Sequence, residues 1–186
     1  MRSSLISLLF GVYLILVGCN IDQKKTIDID NPSFTSTDDS ELFFKNLRQT
    51  YYDKIEMEQA KLNQYRLKDR IQDSSKPILQ LCIVENWRYD EAYVLVEPNE
   101  ILSEENLIEV KWVDPATNQD GIYSYSRGNK EIQFQFAARI YSSLQKEHKL
   151  QVKVKEQWVP FLANEDEKEA FRITLVDYYR LVNAIR

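Results

Sequence analysis

At 77-PILQLCIVENWRYDEAYVLVEP-98 the spacing of apolar residues along this chain changes from near 3.6 residues to near 2. ILQLCIV is apolar enough for an interior strand, EAYVLVEP follows it, and LIEVKWV sets Ile108, Val110 and Trp112 against Glu109 and Lys111. IYSYS, EIQFQF and LQVKV alternate in the same way, the last placing Leu150, Val152 and Val154 on one face. WVPFL and AFRITL bring the strand candidates to about eight. DPATNQDG, SRGNK and the acidic NEDEKE supply turn chemistry between them. Two segments keep helical spacing: FAARIYSSLQKE places Phe136, Ile140 and Leu144 at i, i+4 and i+8, and VDYYRLVNAIR places Tyr178, Leu181, Val182 and Ile185 at i, i+3, i+4 and i+7. Both suit helices lying on a sheet. The fold class expected is α+β: over residues 77–186, a mainly antiparallel β-sheet or sandwich with packed helices, including one at the C-terminal end. Residues 78 to 126 and 131 to 175 show no convincing repeat.

Upstream of Pro77, residues 39–73 carry no Gly or Pro and place Phe44, Leu47, Tyr51, Ile55, Leu62 and Tyr65 at intervals of three, four, four, seven and three. That spacing predicts a long amphipathic helix. Asp38 and Glu41 offer a capping-box-like start, and Lys54 with Glu58 forms an i, i+4 pair. Unbroken over residues 40 to 71, it would span about 48 Å at 1.5 Å per residue. Its stripe must pack on the protein's own sheet or on a coiled-coil partner; Glu58 interrupts the stripe and the heptads are few, which favours the sheet. Residues 19–38 are polar, contain Pro32 and show no sustained period, so they read as a tether. In extended form such a tether reaches roughly 60 Å.

Composition removes several function classes. The chain has 24 Lys and Arg against 29 Asp and Glu, a formal charge of −5, and no basic patch of the kind a nucleic-acid reader needs. Phosphate-binding loops and nucleophile elbows need glycine where the backbone meets a ligand or turns sharply. Beyond residue 20 only Gly121 and Gly128 occur, both placed by the sequence in hairpin loops. The single histidine, His148, sits among charges in QKEHKLQ and reads as a solvated residue at a helix end. One histidine and few thiols cannot supply the usual zinc ligand set. In DPATNQDG, Asp114, Asn118 and Asp120 cluster before Gly121, but the register puts Ala116 and Arg127 where an EF-hand needs oxygen ligands, so a hairpin turn is the better reading. The run Glu165, Asp166, Glu167 and Glu169 reads as a solvated acidic turn. No metal site, no cofactor and no catalytic residue is expected, with an envelope hydrolase that uses acidic residues alone as the minor alternative.

Aromatic residues are the better lead. Trp87, Tyr89, Tyr93, Trp112, Tyr123, Tyr125 and Trp158 lie in or beside strands, where they can fill the interior. On a shared exposed face, Trp87, Trp112 and Trp158 would instead stack on sugars or line a protein interface. Cys82, flanked by Leu79, Leu81, Ile83 and Val84, reads as a small buried hydrophobe.

The N-terminus decides where the protein resides. Arg2 gives residues 1 to 4 a positive charge, and Leu5 to Val17 follow as an apolar run broken only by Ser7 and Gly11. At thirteen residues the run is shorter than the about 20 that cross a bilayer, which is the profile of a removable signal peptide. It ends in Leu16-Val17-Gly18-Cys19, and this resembles the lipobox of bacterial lipoproteins. The resemblance, confined to the first twenty residues, implies cleavage between Gly18 and Cys19 and transfer of a diacylglyceryl group to the Cys19 sulfur, with acylation of the freed amine (palmitate among the usual chains). Two or more chains make a lasting membrane anchor, since each buried CH₂ contributes about 0.8 kcal/mol. Removal of residues 1–18 would leave 168 residues with 23 basic and 29 acidic side chains, a formal charge of −6. Asn20, where the resemblance associates Asp with inner-membrane retention, favours the outer membrane of the cell envelope. The function expected is a non-enzymatic envelope lipoprotein that binds a protein partner or supports an assembly, with a surface carbohydrate-binding protein as the alternative.

Overall fold

The structure, a computed structural model, describes residues 27 to 185; the signal segment 1–18, the lipidation position Cys19 and the start of the tether lie outside the described residues. At Thr37 the chain enters α1 (Asp38–Phe43) through a capping box: the Thr37 hydroxyl accepts from the Ser40 amide, and the Thr37 amide donates to the Ser40 hydroxyl. One π-helical turn (Phe44–Arg48) and a 3₁₀ turn (Gln49–Tyr51) extend it, and there the helix stops. Tyr52–Met57 is β1 and Leu62–Leu67 is β2, antiparallel, with Tyr52 opposite Leu67 and Met57 opposite Leu62.

The expected long helix over residues 39–73 is therefore corrected to a three-turn strap followed by a hairpin. Lys, Glu, Met and Gln around Glu58 are good helix formers, but propensity is a weak prior against packing. Here Tyr52, Tyr65 and Leu67 lie on one strand face and are all buried, at 3%, 0% and 5% exposure, a gain no isolated helix could match. The turn between the strands has no glycine; Lys61 takes the left-handed conformation at φ 60°.

The hairpin continues into β3 (Leu79–Asn86) and β4 (Glu91–Pro98), making a four-stranded antiparallel meander in the order β1-β2-β3-β4. A short helix, α2 (Glu100–Ser103), leads to the second sheet: β5 (Ile108–Val113), β6 (Asp120–Tyr125), β7 (Lys149–Val154) and β8 (Gln157–Phe161), ordered β6-β5-β7-β8. Between β6 and β7 runs α3 (Lys130–Gln145), and α4 (Glu165–Leu181) closes the chain. The α+β class holds, with two antiparallel sheets and helices packed on them. One hydrophobic cluster takes residues from both sheets, α3 and α4; within it Phe134 meets the rings of Tyr178 and Tyr179, each at 6.1 Å.

Three local expectations change. EIQFQF and AFRITL lie inside α3 and α4, because six residues of alternation do not separate a strand from a helix. NEDEKE is the opening of α4: the Asn164 side chain accepts from the Glu167 amide at 2.9 Å, and Glu165, Asp166 and Glu167 sit at the positive end of the helix dipole. Gly121 is in β6 and not in a loop, facing Trp112, whose indole Nε1 would lie 2.7 Å from an added Cβ.

The latter part of the expected tether is also part of the fold. Ile27, Ile29 and Phe34 pack against the core, Thr35 bridges to Glu91, and the Ser36 amide donates to the Asp90 carbonyl at 2.8 Å.

Candidate interaction face and the strap behind it

Two carboxylates are buried beneath residues 38–51. Glu85 on β3, 2% exposed, accepts from Asn63 Nδ2 and from the Tyr65 hydroxyl, both at 2.8 Å, and Lys45 Nζ lies 3.3 Å from its other oxygen. Asp177 on α4, also 2% exposed, accepts from Arg48 Nε at 2.8 and 2.9 Å and from the Tyr52 hydroxyl at 2.8 Å, with Arg180 at 3.5 Å. Between the two sites Phe44 wedges its ring against Tyr52 and Tyr65, at 5.6 and 5.0 Å. A buried charge is tolerated only when paired and hydrogen-bonded, and each of these has both kinds of partner. The Ser40 hydroxyl adds a 2.6 Å hydrogen bond to the carbonyl of Leu181, one of the otherwise unpaired carbonyls at the end of α4.

These carboxylates also set the protonation of their neighbours. Burial, and then the charge of Asp177 and of Glu85, pushes the Tyr52 and Tyr65 phenols well above their ordinary range. Partial burial works to lower the Lys45 ammonium, but Glu41 and Glu85 together outweigh it and raise it. The phenols thus stay neutral donors and the lysine stays charged. Such groups hold the strap; none is poised to exchange a proton near neutral pH.

Register assigns the other face of the first sheet. Residues of β1 to β4 that alternate with the buried set form cross-strand rows: Met57, Leu62, Asn86, Glu91; Ile55, Gln64, Val84, Tyr93; Asp53, Arg66, Cys82, Leu95. Ile55 and Met57, on the edge strand, are 51% and 41% exposed. Arg66 reaches Glu97 through two hydrogen bonds, of 2.8 and 2.6 Å, and the charges of both act on the thiol of Cys82. An open cleft of about 550 Å³ adjoins the strap and hairpin, lined by Lys45, Lys54, Lys61, Glu56, Glu58 and Trp87.

The three tryptophans singled out by sequence are not brought together. Trp87 is in the β3–β4 turn, 45% exposed, with Lys61 Nζ 4.8 Å above its ring. Trp112 lies on the inner face of β5, stacked on Tyr123 at 6.4 Å and on His148 at 4.8 Å. Trp158, opposite Lys153 on β8, points to the outer face of the same sheet. A shared sugar-stacking face is thus replaced by three separate environments. His148 is not simply solvated: its ring is half-buried against Trp112, and its Nδ1 is 3.3 Å from the Ser143 hydroxyl. Cys82 is buried as expected, and desolvation, then Glu97, pushes its thiol up to about 12, so it is unreactive. Asp114 closes an ordinary Asx turn, accepting from the Ala116 amide and the Thr117 hydroxyl at 2.8 and 2.7 Å. Among the described residues no group of three or more His, Cys, Asp or Glu could hold a metal ion.

Glu85 and Asp177 were not anticipated as structural centres. The signal was present: each is a carboxylate inside an apolar run, ILQLCIVE and LVDYYRL, where a charge must find a partner. Which partner was not readable. Compared with models of known protein families, with curated proteins and with solved structures, the chain matches none.

Proposed function

We propose that this chain is a bacterial lipoprotein, cleaved after Gly18 and anchored to the outer membrane of the cell envelope through acylated Cys19, whose folded part binds an envelope protein and catalyses no reaction. The observation that carries the binding reading is the edge strand β1. It ends the first sheet with an open backbone ladder among the described residues, and it presents Ile55 and Met57 half-exposed beside Leu62. Asp53, Lys54 and Glu56 partly blunt this edge, while Ile55 and Met57 on its outer face leave apolar side chains for an added strand to cover. The non-enzymatic reading draws on the buried carboxylates, each committed to a cation and a tyrosine that fasten the strap.

Anchoring is tested by fractionation: Cys19→Ser should move the protein out of the membrane fraction, and an unchanged distribution overturns it. Binding is tested with a photo-crosslinking residue at Ile55 in intact cells. A discrete adduct, lost when Met57→Lys is added, supports the assignment; no adduct at any expression level refutes it.

A further inference from the structure

The strap has a second face, directed away from the sheet. Leu42, Phe43, Leu47 and Tyr51 are 59%, 41%, 56% and 50% exposed, and Asn46 and Thr50 complete that side. The two charged residues between positions 42 and 51 are both committed elsewhere: Lys45 lies 3.0 Å from Glu41 and 3.3 Å from Glu85, and Arg48 is on Asp177. The result is an outward surface of three turns with four large apolar side chains, bordered at its N-terminal end by the exposed carboxylate of Asp39 and carrying the Arg48 guanidinium 4.7 Å over the Tyr51 ring.

What covers it follows from size and position. Four such side chains, each about half exposed, offer on the order of 400 Å², short of the roughly 800 Å² per partner that a stable protein interface needs. Three turns also hold too few heptads for a coiled coil. A fluid surface requires neither. Resting on the anchoring proposed above, the lipidated residue is Cys19, and Ile27 is already packed against the core. Eight steps of chain, at about 3.3 Å each, keep the domain within roughly 26 Å of the bilayer surface. The chain between Ile27 and the strap is held to the same folded domain: the Ser36 amide bonds the Asp90 carbonyl, and the Ser40 hydroxyl bonds the Leu181 carbonyl. Tethering at this distance makes a weak contact nearly intramolecular. Phe and Tyr beside Leu are also the side chains that settle at the boundary between headgroups and acyl chains.

We propose that the outward face of the strap, Leu42, Phe43, Leu47 and Tyr51, lies in the lipid interface of the membrane that holds the anchor, fixing the orientation of the domain on that surface. Because the unpaired charge at its border, Asp39, is acidic, the contact is apolar and gains nothing from anionic lipid.

The test uses the full chain, purified from membranes in detergent and reconstituted into phosphatidylcholine vesicles. An environment-sensitive fluorophore is placed at Leu47→Cys or, as a control of similar exposure on β6, at Ile122→Cys; Cys82 is too buried to label. Insertion by about 5–10 Å predicts at least roughly twofold stronger quenching at Leu47 by lipid carrying a shallow spin label than by lipid labelled deep in the chain, and little quenching at Ile122. Adding Phe43→Asp should abolish the quenching with the circular dichroism spectrum unchanged, and phosphatidylglycerol should leave it unaltered. A Leu47 probe that stays unquenched while the protein remains in the vesicles overturns the docking and leaves the anchoring intact. Equal quenching at Leu47 and Ile122, or a requirement for phosphatidylglycerol, also overturns it. Mass spectrometry showing an unmodified Cys19 overturns the anchoring and the docking together.

Discussion

The inner face of the second sheet buries Ile108, Val110, Tyr125, Leu150, Val152 and Phe161, while its outer face carries the ion pairs Lys153–Glu109 at 3.3 Å and Lys111–Asp120 at 2.9 Å. In the first sheet the distribution is reversed in part: Asn63 and Glu85 are buried on the inner side, and Ile55, Met57, Leu62, Val84, Tyr93 and Leu95 share the outer side. An antiparallel sheet with one solvated face should alternate cleanly, apolar inward and polar outward, as the second sheet largely does. The first departs from this for two reasons. Its inner carboxylate ties down the strap, since among the described residues Lys45 is the cation paired with Glu85, and its outer side carries apolar residues of which Ile55 and Met57 are exposed. One sheet is a support; the other is a surface backed by a clamp.

The comparison breaks most directly at the wedge. Phe44→Ala should destabilise the protein by about 3–5 kcal/mol in urea unfolding, because a ring that is 2% exposed between two buried tyrosines leaves a cavity. Trp112→Ala, on a half-buried ring of the second sheet, should cost clearly less; equal losses would remove the asymmetry. Next in size is the clamp. Arg48→Met should cost about 2 kcal/mol, since Asp177 keeps Tyr52 and Arg180 but loses its closest cation. Hydrogen exchange of strap amides 38 to 51 should accelerate with the amides of β5 and β7 unchanged, and uniform acceleration would show that the strap is not a separable unit.

Alkaline pH probes the same clamp without mutation. Lys45, Tyr52 and Tyr65 all have folded-state values raised above their ordinary 10.5, 10.0 and 10.0. The folded state therefore holds protons that the unfolded state releases; stability contributed by these groups is complete below about pH 10 and is lost as pH rises beyond it. Thermal unfolding midpoints should fall above pH 10, and the fall should be smaller in Tyr65→Phe.

Two smaller changes sharpen the contrast from the side of the second sheet and α4. The β7–β8 turn places Lys155 and Glu156 at φ 47° and 67°, the mirror-image hairpin turn that prefers Asn-Gly, so Lys155→Asn with Glu156→Gly should stabilise by about 1 kcal/mol. Tyr179→Phe should be neutral or stabilise by up to about 1 kcal/mol, because the buried Tyr179 hydroxyl has no hydrogen-bond partner among the described residues. A loss larger than that in chemical denaturation would mean the hydroxyl is satisfied.

Much of the second sheet was legible. LIEVKWV and LQVKV alternate because one face is buried and the other wet, and Cys82 reads as buried because everything beside it is apolar. The first hairpin was not, since its residues are helix formers and its turn lacks glycine. Nor was the site: Lys45 and Glu85 are forty residues apart, as ordinary in sequence as any other charged pair.

By itself the sequence determined the class of the fold, the absence of the glycine and histidine patterns that known phosphate-binding loops and catalytic triads use, and an N-terminus that resembles a lipobox. These depend on local composition and period, which a chain carries whatever its partners. Only the tertiary structure decided where the helix of residues 38–51 stops, which carboxylates become buried clamps and which aromatic rings meet. Each of those outcomes is a competition between local preference and contacts closed over long stretches of chain, and the burial of Tyr52, Tyr65 and Phe44 in one cluster tips it.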